Sequence, residues 1–264
     1  MGRVIAILQN KGGVGKSTIT SHLASALSKK NKKVKALIVD MDPQGNQAIS
    51  FGYKPNQIEN TIYDVLVKQM PPENTIIELD KNLHLLPSNG DMNFYEIDTL
   101  FQIEKIGFQE YLLSLKKALT PLVKRYDYIF IDSPPELKII ALQILLTTND
   151  IYIPFETDAY NAAGLIALLA KIEQHKKQYN VSPTIRGLIL NKVRERTTLH
   201  KGVSIQVDAY CKKKRIPILK THIPFSTVYP KTIATTGMPV TWSNPNSKHA
   251  KHYYDLLEEV LSHG

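Results

Sequence analysis

The chain has 264 residues, of which 43% are hydrophobic, a size and composition that suit one α/β domain with a sizeable core. Its single cysteine, Cys211, excludes an internal disulfide and a cysteine-built metal centre, and no apolar run reaches the ~20 residues of a membrane helix. The net charge of +9 admits a polyanionic partner without requiring one.

In chain order, strands are expected at 3–9, 34–39, 83–86, 127–132, 150–154, 185–190 and 218–222. Helices are expected at 16–30, 60–69, 104–124, 136–147, 161–179, 202–214 and 247–262. The runs KVKALIVD and YDYIFID are β-branched and apolar throughout, as strands buried on both faces should be. Regular alternation of strand and helix predicts an α/β fold, a doubly wound, mainly parallel twisted sheet with helices on both faces. Met70-Pro71-Pro72 reads as a loop, so residues 1–264 are expected to form one domain. The first strand begins at once, with no export signal, and a cytosolic protein is expected.

The stretch QNKGGVGKST, Gln9 to Thr18, joins the first strand to the first helix. A strand, a glycine-rich turn ending in Gly-Lys-Ser and a helix form the context of a phosphate-binding loop. The backbone N–H groups of Gly12, Gly13, Val14, Gly15 and Lys16 can wrap a phosphate, and the helix adds its positive N-terminal end. Lys16 would reach the β- and γ-phosphates, Ser17 would ligate Mg²⁺, and Thr18 would approach the α-phosphate. Departing from the generic G-x-x-x-x-G-K-[ST], position 10 is Asn and an additional lysine, Lys11, opens the glycine run.

KGGVGKST resembles the deviant Walker motif of the ParA/MinD class of P-loop ATPases. The resemblance covers nearly the whole chain and extends to VDMDPQGN (Val39–Asn46) and FIDSPP (Phe130–Pro135), both at strand ends. It implies ATP and Mg²⁺ as cofactors and hydrolysis of ATP to ADP and phosphate with slow basal turnover. It implies that Lys11 crosses a homodimer interface to the partner's ATP, and that Asp42 orients the attacking water. Asp132, with Ser17, is implied to hold the metal, with Asp40 beside its waters. Asn191 is implied to read the adenine, with Pro224 packed beside the base. MDPQGN points towards ParA proteins.

Between Lys171 and Lys231 there are fourteen Lys or Arg against three acids, Glu173, Glu195 and Asp208. This is either a solvated face or a sequence-independent phosphate-binding surface for duplex DNA; the candidates are Lys192, Arg194, Arg196, Lys201, Lys212, Lys213, Lys214, Arg215 and Lys231. Where family members often carry Arg after the Ile-Pro turn, this chain has Phe225. The last helix carries Asp255, Glu258 and Glu259, unlike a basic amphipathic membrane anchor. The resemblance therefore implies a nucleoid-associated partition ATPase: an ATP sandwich dimer on DNA, stimulated by a ParB-like partner, segregating or positioning a plasmid or chromosome. Two alternatives stay open, a same-fold ATPase positioning a protein cargo and a small-molecule ATP-dependent ligase or kinase.

Overall fold

The computed structural model describes residues 2–136, 139–156, 162–194 and 205–263. Seven strands form one sheet: β1 (Arg3–Ile7), β2 (Ala36–Asp40), β3 (Ile77–Asp80), β4 (Leu83–Leu86), β5 (Tyr128–Asp132), β6 (Asp150–Glu156) and β7 (Thr184–Asn191), in the spatial order β3-β4-β2-β5-β1-β6-β7. All neighbours pair in parallel except β3 with β4.

The pleat sends alternate side chains of the central strands to opposite faces. Ile5, Ile7, Ile38 and Phe130 pack with Ile19, Leu23 and Leu27 of the helix Lys16–Lys30 and with Tyr253, Leu256 and Leu257 of the helix Lys248–Ser262. Val4, Ala6, Leu37, Val39, Ile129 and Ile131 pack on the other face against Leu115, Leu119, Ile140 and Ile144. Leu8, Ile151 and Ile153 extend that second layer under the helices Ala162–Gln178 and Ile205–Lys214. Both faces are thus covered, as an all-apolar parallel strand requires. The doubly wound architecture expected from the alternation is the one observed.

Several local expectations fail. Residues 218–222 form no strand; Ile218 makes an isolated bridge to Leu188. The helix expected over 104–124 is instead Leu100–Ile106, Phe108–Leu112 and Ser114–Leu119 followed by a 3₁₀ turn at Leu122–Lys124. The first break falls at Gly107, whose φ of 82° is not helical. The strand β3 and the helices Asn46–Ser50, Val228–Thr236 and Val240–Ser243 were not expected.

Strands β1, β2 and β5 all point their C-terminal ends at the same edge of the sheet. Ile7 pairs with Asp132, and Asp132 pairs with Asp40, so the chemistry-bearing residues leave the sheet side by side. This is the edge at which open α/β sheets bind ligands.

Candidate nucleotide site

The loop after β1 turns into the helix Lys16–Lys30 through Gly15, whose φ is 90°. A Cβ on Gly15 would lie 2.2 Å from Asn191 Nδ2, so both the backbone angle and the space demand glycine. Asn191, at the end of β7, donates from Nδ2 to the Val14 carbonyl at 2.6 Å. Residues 177 positions apart in the chain therefore fix the loop's shape.

A cavity of about 640 Å³ opens at this loop. Gly12, Gly13, Gly15, Lys16, Ser17 and Thr18 line one side, Asp42 and Asn46 another, and Asn191 and Pro224 a third. The structure thus brings together most of the loop residues expected from sequence, with Asn191 and Pro224. Val14 is buried beneath the loop. Lys11 is exposed and lines a separate, smaller cavity with Gln9, Asn10 and Glu156.

Lys16 is buried, and its Nζ donates to the Lys11 carbonyl at 3.1 Å. Burial lowers its pKa, while Asp132 and Asp42 act in the opposite direction. Asp40 and Asp132 are fully buried neighbours. Burial raises the Asp132 carboxyl to about 6 against the lowering hydrogen bonds from Gln47 and Ser17. Burial, reinforced by Asp132, holds the Asp40 carboxyl well above the usual carboxylate range. Two adjacent buried acids favour an added cation.

The polar hub between them was not foreseen. Gln47, itself fully buried, donates from Nε2 to Asp132 Oδ2 at 2.7 Å and to the Ser17 carbonyl at 3.0 Å. Its backbone N–H donates to Asp40 Oδ2 at 2.9 Å, and the Asp42 N–H donates to Asp40 Oδ1 at 3.0 Å. Both Asp40 oxygens thus hold the Asp42–Gln47 loop in shape. These bonds make Asp40 a brace for the loop, and its expected place is beside the waters of a metal held by Asp132. Within the same loop Gly45 has a φ of 62°, and a Cβ there would meet Pro55 at 2.6 Å. The Asp42 carboxylate, buried at the junction of the main cavity and a second one of about 320 Å³, accepts from the Gln44 N–H at 3.0 Å.

Among the described residues no group of three or more His, Cys, Asp or Glu could hold a metal alone. Mg²⁺ in nucleotide sites needs less, because it keeps waters and takes phosphate oxygens. Asp132 Oδ1 is buried and has no hydrogen-bond partner, an acceptor aimed at something absent from the protein itself. With the Ser17 hydroxyl beside it, the residues present fit a magnesium-nucleotide complex.

The basic candidates divide. Lys192 is exposed, and its Nζ pairs with Glu156 Oε1 at 2.8 Å and donates to the Gly13 carbonyl. Arg194 lies over the Phe225 ring, 5.2 Å from its centroid. Lys212, Lys213, Lys214, Arg215 and Lys231 are exposed, and Lys212 pairs with Asp208 at 2.6 Å. Arg196 and Lys201 lie outside the described residues. No helix among the described residues is long and apolar enough to cross a membrane.

A strand-end phosphate loop backed by buried acids on two adjacent strands defines a P-loop nucleotide hydrolase. Comparison with known proteins narrows the class. A family model described as an AAA domain matches residues 2–185. The sporulation initiation inhibitor protein Soj of Bacillus subtilis is 32% identical over all of both chains. The chromosome partitioning protein ParA of Myxococcus xanthus is 30% identical, covering 99% of this chain and 88% of that one. Among solved structures, cobyrinic acid a,c-diamide synthase from Mycobacterium smegmatis with bound ATP analogue and magnesium superposes with a TM-score of 0.81 at 25% identity, covering 100% of this chain and 95% of that one. The chain belongs to the ParA/MinD-type P-loop ATPases.

Proposed function

We propose that this chain is a partition ATPase that uses ATP and Mg²⁺, pairs with a second copy across the nucleotide, and grips duplex DNA without sequence preference while in that state. A ParB-like centromere-binding protein then stimulates hydrolysis and releases it, so that a plasmid or chromosome is segregated or positioned in the cytoplasm, on the nucleoid. The observation that carries this reading is the division of labour between two lysines. Lys16 lines the chain's own nucleotide cavity, whereas Lys11 is exposed outside it. An amine so placed suits a triphosphate held by another subunit. The full-length likeness to proteins named Soj and ParA supports the same reading.

The residues divide the work as follows. The loop N–H groups and Lys16 bind and charge-balance the phosphates, and positioning with charge stabilisation is most of what phosphoryl transfer asks of a protein. Magnesium, when bound, would offset the charge that develops on the phosphates. Ser17 and Asp132 hold its side of the site. Asp42, at the mouth of the main cavity, orients and deprotonates the attacking water. Asn191 and Pro224 border the end of the cavity where the base belongs. Lys212, Lys213, Lys214, Arg215 and Lys231 supply outward cations for phosphate contact, a sequence-independent and salt-sensitive mode of binding.

The deciding experiment is retention of the protein on duplex DNA with ATP, ADP or no nucleotide, each at two salt concentrations. Retention with ATP alone, weakening as salt rises, is expected. Equal retention in all three states would remove the nucleotide switch from the proposal.

A second reading rests on the cavity beside Asp42, formed with Pro43, Gln44, Met92, Glu96 and Pro135, and on the likeness to the cobyrinic acid diamide synthase. In that reading the cavity holds a small acceptor for ATP-dependent ligation. Turnover that is fast only when a small carboxylic acid and an amine donor are added, and indifferent to DNA, would select it.

A further inference from the structure

We infer that Gln47 is a positioning residue for the magnesium ion: it fixes the Asp132 carboxylate that would hold the metal and adds a second buried acceptor to the hub. The inference rests on the ATPase reading above and adds to it a residue that no motif identifies.

The argument is an inventory of hydrogen-bonding capacity. An amide side chain offers two N–H donors and one carbonyl acceptor. Both donors of Gln47 are used inside the protein, one on Asp132 Oδ2 at 2.7 Å and one on the Ser17 carbonyl at 3.0 Å. Its own acceptor, Oε1, is buried and without a partner. Asp132 has the same pattern, with Oδ2 satisfied by Gln47 and Oδ1 buried and empty-handed. The hub thus holds two unfilled acceptors on two side chains already joined to each other. A buried acceptor left unpaired costs on the order of 1–3 kcal/mol, so two on side chains bonded to each other call for a donor. The waters that a divalent cation carries would supply polarised O–H donors of the kind these acceptors lack.

Position supports the assignment. Gln47 ties together the three elements that must agree for metal binding: Ser17 at the helix start, Asp132 at the end of β5, and the Asp42 loop, through the backbone bond to Asp40. Without the amide, Asp132 is free to turn either oxygen to the metal. Partners of this kind, which touch a ligand residue and not the metal, typically contribute 10–100-fold in metal affinity.

The test is equilibrium binding of a fluorescent ATP analogue, followed by anisotropy while Mg²⁺ is titrated, with a parallel measurement in EDTA. Gln47→Met keeps the side-chain volume and removes both side-chain hydrogen bonds while leaving the backbone bond to Asp40. It is expected to raise the Mg²⁺ concentration for half-maximal tight binding 10–100-fold, while affinity in EDTA stays at the wild-type level. If Gln47→Met does not fold, Gln47→Asn, which carries the amide one methylene short of its partners, is expected to shift the titration in the same direction. A wild-type Mg²⁺ midpoint in a folded variant overturns the inference and leaves the ATPase reading standing. Equal losses with and without metal overturn it too, since they mark a merely structural role. A wild-type protein that binds no nucleotide under either condition overturns the reading itself.

Discussion

Asn191 Nδ2 sits 2.6 Å from the Val14 carbonyl and occupies the space a side chain on Gly15 would need. The end of β7 therefore clamps the phosphate loop. Asn191→Ala is expected to weaken ADP and GDP binding alike, by roughly 3–10-fold for one lost hydrogen bond. Calorimetry with both nucleotides checks this. A loss confined to ADP would return Asn191 to reading the base.

Lys11→Ala is expected to leave nucleotide affinity unchanged and to abolish the ATP-dependent dimer, because Lys11 stands outside the cavity its own chain offers. Lys16→Ala, by contrast, should lose nucleotide binding itself. Light scattering beside nucleotide titration separates the two; Lys11→Ala dimers that persist with ATP would defeat the cross-subunit role.

Asp42→Ala is expected to retain nucleotide and slow hydrolysis by about 10²-fold or more, the usual scale for a general base. The ATP-bound state should then accumulate. Phosphate release at the wild-type rate would take Asp42 out of the chemistry.

His22 gives a pH prediction. It is fully buried, donates from Nδ1 to the Thr18 carbonyl at 2.7 Å, and accepts from the Val240 N–H at 3.3 Å, which fixes the neutral tautomer. Burial lowers its pKa from 6.5 to about 4. The unfolded chain therefore takes up a proton before the folded one does. The contribution of His22 to stability is full above about pH 6.5 and falls as pH drops towards 4, by on the order of 3 kcal/mol. Asp132, raised to about 6, acts in the opposite sense over the same range. The difference between wild type and His22→Gln, which offers the same donor and acceptor, isolates the effect. Denaturant unfolding at pH 7 and pH 4.5 should show a smaller acid loss in the variant.

Legibility in the sequence followed burial. Ala36–Asp40 and Tyr128–Asp132 are almost wholly buried, so their apolar runs announce strands directly. Ile77–Asp80, an antiparallel edge strand with one exposed and three half-buried residues, carries no such signal. In Val228–Thr236 only Tyr229 is buried and Pro230 lies inside the first turn, which hides the helix. The phosphate loop and its strand-end acids were legible because their spacing is local. Gln47 was not, because its partner Asp132 lies 85 positions away. Lys192 looked like one more cation in a basic stretch, and only the fold reveals Glu156 beside it.

Lys192 adopts a φ of 54° immediately after Asn191, and together these neighbours touch Val14 and Gly13. The chain leading into the basic segment is therefore fastened to the nucleotide pouch at its very root. Two adjacent side chains at the end of β7 thus join it to the glycine run, and a shift of either would be felt at Val14 and Gly13.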